Sequence, residues 1–306
     1  MHIVIVGAGG VGGYFGARLA RSGEAVTLIA RGEHLAAIQR GGLRVRSAIE
    51  GEFAAKVSAV EDTDGSPVAD AALLCVKSFD TGAALERLRP VIGPDTPVLT
   101  LQNGVEAVEK IDAALGSGHA LGGAAYVFAS LEAPGVIAHR FGGKIALGEL
   151  DGRPSARAER LRDALARAGV PVELSDSIQR VMWEKYLFIC AQAGMTAVTR
   201  TPSGVLRRNP ATWRMYRTIL EELAAIAERL GVRLAPDVVA TLMNAADALA
   251  PGTSSSLHHD LVSGRRLEIE ALHGHAVRLA ERLSVPAPMT FAVYAALQPH
   301  AAGRPE

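Results

Sequence analysis

Over residues 1–176, short apolar runs alternate with stretches of helical periodicity. Runs at 2–6, 25–30, 71–76, 97–101 and 119–128 predict strands, and the segments 11–22, 79–88 and 105–114 predict helices between them. This alternation predicts a parallel sheet covered on both faces. Residues 135–148 read as a two-strand hairpin, 155–168 as an amphipathic helix and 170–174 as a last strand. From 177 onward the period is helical. Helices fit 178–194, 209–230, 236–249, 266–283 and 288–297, with Pro202, Pro210, Pro236 and Pro251 breaking the chain between them. No convincing strand appears there. The expectation is an α/β domain at 1–176 and an all-helical domain at 177–306.

The first strand, Ile3-Val4-Ile5-Val6, ends in Gly7-Ala8-Gly9-Gly10-Val11-Gly12 and a helix-length segment follows. In a dinucleotide-binding turn the first glycine makes the bend, the second admits the pyrophosphate, and the third lets helix and strand pack closely. The helix N-terminus then offers unpaired N–H groups to the phosphates. Strand, turn, helix and second strand together point to a doubly wound, Rossmann-type parallel sheet, with the all-α domain after it.

The end of the second predicted strand carries the cofactor choice. Val26-Thr27-Leu28-Ile29-Ala30-Arg31 has no carboxylate until Glu33. A carboxylate there would hold a ribose 2′-hydroxyl, whereas an arginine suits a 2′-phosphate. Arg31 therefore points to NADPH, against the alternative of a solvated surface arginine. Ligands of such sheets gather at the carboxyl ends of the strands. That rule singles out Lys77, after Leu74-Cys75-Val76, and Asn103, after Leu101-Gln102. Lys77 can also be read as a loop lysine, and Asn103-Gly104 as a plain turn.

Composition removes several classes. The chain has 306 residues, with 32 basic and 32 acidic side chains. No basic footprint for nucleic acid is present, and no apolar stretch reaches the roughly 18 residues of a membrane span. The amino-terminal segment reads as a strand, so no signal peptide and a cytoplasmic location are expected. Cys75 and Cys190 lie in apolar runs and read as free thiols. His258 and His259 are adjacent, point apart on a helix and have no partner ligands, so no metal is expected; His273 and His275 suggest none either.

Carbonyl reduction needs a proton donor within reach of the oxygen. The best candidate is Lys185 in Trp183-Glu184-Lys185-Tyr186-Leu187, a charge on an otherwise apolar helix. The alternative is a surface lysine paired with a nearby acid.

With GAGGVG, Arg31, Val76-Lys77, Gln102-Asn103-Gly104-Val105, Trp183-Glu184-Lys185, the Thr253–Leu257 stretch with Asp260, and Gly264-Arg265-Arg266-Leu267-Glu268-Ile269, the chain resembles the ketopantoate reductases (2-dehydropantoate 2-reductases) over essentially its full length. The resemblance implies NADPH-dependent reduction of a 2-oxo acid, ketopantoate to pantoate as in pantothenate biosynthesis. It implies Lys185 as general acid, Asn103 in contact with substrate and cofactor, Ser256 on the substrate carboxylate, and Glu268 as an anchor for substrate or cofactor. It also implies the same pair of domains, and it leaves a homodimer through the helical domain open.

Read as residues alone, Glu268 is also an early-turn carboxylate on a helix starting near Arg266. Ser254–Ser256 can equally be a cap-rich loop. The chain departs from the family pattern at Ile189, Ala193 and Ser203, where the family has asparagines, and at His273-Gly274, where it often has Asn-Gly. Positions 185, 189 and 193 share one helix face, so Lys185 looks along an apolar wall. Two alternatives therefore stand beside the main reading: a related reductase of a more apolar 2-oxo acid, and a non-catalytic NADP-binding sensor.

Overall fold

The structure is a computed structural model that describes residues 1–305. It divides into two compact units, Met1–Gln102 with Ala107–Ile178, and Asn103–Glu106 with Gln179–Glu306.

In the first unit, β1 (His2–Val6), β2 (Ala25–Ile29), β5 (Ser58–Val60), β6 (Ala71–Leu74), β7 (Val98–Thr100) and β8 (Ala120–Ala133) pair in parallel in the order β8-β7-β6-β1-β2-β5. Side chains alternate across the sheet, and both sets are buried. Ile3, Ile5, Leu28 and Leu73 lie in one cluster with Phe15 and Leu19 of α1 (Gly10–Arg21) and Leu161 of α5 (Ala156–Arg167). Val4, Val6, Ile29 and Leu74 lie in the other, with Leu85 of α3 (Thr81–Leu88) and Ile111 of α4 (Ala107–Leu115). Burial on both faces explains why the strands are continuous apolar runs rather than alternating ones. The order reverses between β1 and β6, the switch point at which such sheets bind ligands.

The sheet continues as a mixed one. β9 (Val136–Gly148) pairs antiparallel with β8 and parallel with β3 (Leu43–Ser47) and β10 (Val172–Leu174), and β3 pairs antiparallel with β4 (Gly51–Ala55). Two features correct the reading from sequence. Apart from the turn residue Gly135, the segment 135–148 is one strand, β9, whose hairpin partner is β8. Gly142 and Gly143 form a bulge with positive φ at both, where a Cβ on Gly142 would lie 2.2 Å from the Tyr126 carbonyl. The second feature is the stretch 32–60, for which periodicity predicts no element. It forms α2 (Gly32–Gly41) and the strands β3 to β5.

The second unit is built from helices, with no strand among the described residues. At its centre runs α6 (Ile178–Thr199), where Tyr186, Leu187, Cys190, Ala191, Met195 and Ala197 are all buried. A helix apolar around its circumference belongs inside a bundle. It stops at Arg200, whose φ of 55° is left-handed, just before Pro202. Around it lie α7 (Ser203–Arg208), α8 (Pro210–Arg229), α9 (Val238–Asp247), α10 (Ser256–Val262), α11 (His275–Leu283) and α12 (Pro288–Leu297). The helix expected from 266 begins later. The Leu267 N–H is drawn to the Ala301 carbonyl, 3.0 Å away, and a π-turn over Glu270–Gly274, closed by Gly274 N–H to Ile269 O, leads into α11. Glu268 thus precedes the helix and is not an early-turn residue on it.

Candidate active site

The glycine turn at the end of β1 is shaped by contacts that permit no side chain. Gly7 has φ +99°, and a Cβ there would lie 2.6 Å from the Val76 amide nitrogen at the switch point. A Cβ on Gly10 would sit 2.1 Å from the Ala129 carbonyl. One on Gly12 would sit 2.2 Å from Gly7 O, where α1 crosses β1. Gly9 differs: a Cβ there would meet nothing within 4 Å. Its bareness is not a packing demand of the fold, which suits a backbone left open to a pyrophosphate. No side chain caps α1, so its first N–H groups are not consumed by a capping residue. Ala8 is buried, and Val11 is half-buried beside it.

Two polar residues, for neither of which the sequence indicates a bonding role, brace this turn and the strand ends beside it. His34 on α2 donates through Nε2 to the Ala8 carbonyl at 2.7 Å and accepts the Gly135 N–H on Nδ1 at 2.9 Å. Accepting on Nδ1 fixes the neutral Nε2–H tautomer. Gln102, buried after β7, donates to the Val76 carbonyl at 2.8 Å and to Thr81 Oγ1 at 2.9 Å, tying the ends of β6 and β7 to α3. Their partners are distant in sequence, so periodicity carries no sign of either bond.

Arg31 leaves β2 in extended conformation before α2 and is 75% exposed. Its Nη2 lies 3.7 Å from Asp80 Oδ2, a loose pair of little energetic weight. Lys77 is exposed and starts the short 3-10 turn Ser78–Asp80.

The second unit collects Asn103, Lys185, Ser256 and Glu268. Asn103 is half-buried in a turn whose Gly104 has φ +98° and would place a Cβ 3.2 Å from the Ala271 carbonyl. Glu106, in the same segment, pairs with His275 Nδ1 at 3.6 Å. Lys185 is half-buried on α6. Loss of water around its amine pulls its pKa down to about 8, and the negative charge of Glu268 opposes that fall. The Glu268 side chain is buried. An amine set near neutrality beside a fixed carboxylate can give and retake a proton. Ser256 is exposed at the first position of α10, and Ser255, not Ser256, is the N-cap, accepting the His258 N–H.

Around Lys185 the departures from the family pattern resolve differently. Ile189 is half-buried and Ala193 buried. Ser203 is buried in a hydrogen-bonded tie between Gln192 Nε2 and the Thr253 carbonyl. His273 is fully buried in the π-turn, donating through Nε2 to the Cys190 carbonyl at 3.0 Å.

Comparison with known proteins agrees along the whole chain. Residues 3–152 match the family described as "Ketopantoate reductase PanE/ApbA", and 177–301 its C-terminal counterpart. A curated 2-dehydropantoate 2-reductase from Mesorhizobium japonicum is 32% identical over 316 residues, covering 96% of each chain. The crystal structure of a PanE/ApbA family ketopantoate reductase from Ralstonia eutropha superposes with TM-score 0.90 at 35% identity, covering 98% of each chain. A ternary structure of D-mandelate dehydrogenase with NADH and anilino(oxo)acetate superposes with TM-score 0.89 at 26% identity, again over 98% of each. The chain belongs to the ketopantoate reductase family of nicotinamide-dependent oxidoreductases.

Proposed function

We propose that the chain reduces a 2-oxo acid to the 2-hydroxy acid with NADPH, ketopantoate being the leading substrate. The observation that carries the reading is the desolvated Lys185 amine with its pKa near 8, opposed by the buried Glu268 carboxylate within one unit. The reduced nicotinamide would supply the hydride to the carbonyl carbon. Lys185 protonates the oxygen as negative charge develops there and, while charged, stabilises that charge. Glu268 keeps the ammonium form populated. Asn103 holds substrate and cofactor amide groups, and Ser256 takes the substrate carboxylate. The phosphates lie along Gly7-Ala8-Gly9-Gly10-Val11-Gly12, with Arg31 and Lys77 as cations for the 2′-phosphate and the cofactor backbone. Initial rates with NADPH and NADH across small 2-oxo acids test this. Turnover of ketopantoate with NADPH preferred is the expected result, and absence of NADPH oxidation with every 2-oxo acid overturns the reading.

A second reading has its own support. Ile189 and Ala193 themselves offer no hydrogen-bonding group to a substrate hydroxyl, and a structural relative is a complex with anilino(oxo)acetate. A more apolar 2-oxo acid then fits. Ketopantoate and 2-oxoisovalerate differ by one hydroxyl, worth about 1–3 kcal/mol when met or left unmet. A kcat/KM ratio favouring 2-oxoisovalerate selects the second reading.

A further inference from the structure

Helix α6 carries a second group of polar side chains, three turns beyond Lys185 and on the same face. Lys185 and Thr196 are eleven residues apart, which at about 100° per residue returns to the same side of the helix. Thr196 is fully buried. Its hydroxyl lies 2.7 Å from the Gln192 carbonyl and 2.8 Å from Ser255 Oγ. Ser255 Oγ accepts the His258 N–H at 3.1 Å, which leaves its own proton to donate. Each hydroxyl has one proton, so the bonds run in one direction, from the His258 N–H through Ser255 and Thr196 to the Gln192 carbonyl.

A parallel chain starts one turn earlier. Gln192 Nε2 donates to Ser203 Oγ at 2.7 Å, and Ser203 Oγ–H donates to the Thr253 carbonyl at 3.0 Å. The backbone N–H groups of Ser203 and Gly204 add bonds to the carbonyls of Thr253 and Pro251, both at 2.9 Å. The loop 251–255 is thus stitched to α6 at Thr253 and at Ser255. Ser256 is the next residue.

The side-chain bonds at Thr196, Ser203 and Ser255 run through hydroxyls, so no charged group sets them and each is lost when its hydroxyl is removed, while the backbone bonds to Thr253 and Pro251 remain. Buried side chains that stabilise only a surface loop would not need to share a helix face with the proton donor. We infer that Thr196, with Gln192 behind it, is a positioning residue that ties the loop before α10 to α6 and so registers Ser256 against Lys185. The inference rests on the reading of Ser256 as the carboxylate partner. It also accounts for Ser203, whose hydroxyl is spent between Gln192 and the Thr253 carbonyl.

Thr196→Val keeps the shape and removes both bonds; Thr196→Ser restores them. In Thr196→Val, KM for the 2-oxo acid rises about tenfold while kcat and the NADPH dissociation constant stay within about twofold. Amide exchange at residues 255–258 accelerates, and Thr196→Ser behaves as the parent. Ser256→Ala raises KM as well, and the double variant adds less than the product of the two effects. If Ser256→Ala raises KM but Thr196→Val does not, the inference is overturned and the functional reading stands. If neither changes KM, the role of Ser256 fails and the inference with it. Should Thr196→Val fail to fold, Thr196→Ala, which also removes both bonds and leaves the Ser255 cap in place, carries the same comparison.

Discussion

Lys185 and Glu268 form a pair in which burial and charge act in opposite senses on one amine. Burial lowers the Lys185 pKa to about 8, and the Glu268 carboxylate holds it from falling further. The reductive direction needs the protonated amine. Reduction should therefore lose kcat/KM as pH rises through about 8, while oxidation of the hydroxy acid should gain. Removing the carboxylate charge in Glu268→Gln takes away that opposing influence, so this limb moves to lower pH. Lys185→Ala lowers turnover by roughly 10²-fold or more with cofactor affinity nearly unchanged. A pH–rate profile with the same limb in both parent and Glu268→Gln would contradict the pairing.

Arg31 and Asp80 make a loose pair at 3.7 Å, with the arginine largely exposed. A 2′-phosphate would compete with Asp80 for the guanidinium. Arg31→Ala should weaken NADPH by about 10-fold or more and leave NADH nearly unchanged, since only NADPH carries that phosphate. Asp80→Asn should tighten NADPH by a smaller factor, about twofold. Direct titration of both cofactors measures each. Equal losses for NADPH and NADH in Arg31→Ala would make Arg31 merely structural.

What can be read from the sequence tracks how local each cause is. The β1 turn and α1 follow from an apolar run and three glycines within a dozen residues, and the structure gives each glycine a steric reason or an open side. Lys185 is conspicuous as a charge on an apolar helix. The failures come from distant partners. Residues 135–148 read as a hairpin, yet Gly142 and Gly143 with their positive φ serve a bulge against β8. Residues 266–268 look helical until Ala301 takes the Leu267 N–H. In β3, Leu43-Arg44-Val45-Arg46 alternates buried and exposed positions, a legible signal hidden by its shortness. His34, Gln102 and Thr196 gain their meaning from partners 21 to 101 residues away. No period or spacing encodes those.

Glu222 on α8 replaces a missing cap. No side chain on α12 caps its start, and the buried Glu222 carboxylate accepts the Met289 and Thr290 N–H groups at 2.9 and 2.8 Å and the Thr290 hydroxyl at 2.7 Å. Glu222→Ala strands these donors and should cost about 2–4 kcal/mol, seen as a lower urea midpoint. Glu222→Gln retains one acceptor oxygen and should recover part of that loss. A change below about 0.5 kcal/mol in the alanine variant would show that the donors find other partners.

His273 makes the stability of the fold depend on pH. Its Nε2–H is used on Cys190 O, its Nδ1 is buried without a partner, and Gly194 leaves it room, since a Cβ there would lie 2.4 Å from Nε2. Burial pushes its pKa down to about 4, with the hydrogen bond to Cys190 opposing. In the unfolded chain an imidazole takes up its proton near pH 6.5. Between about 6.5 and 4 the unfolded state therefore binds the proton and the folded state does not. Stability is fully present above that window and is lost as pH falls through it, by roughly 1.4 kcal/mol per pH unit for one proton. Unfolding measured at pH 7, 6 and 5 in the parent and in His273→Asn isolates this contribution, because asparagine does not titrate. The variant should show a shallower decline toward acid, and parallel curves would mean that the buried imidazole is protonated as readily as a free one.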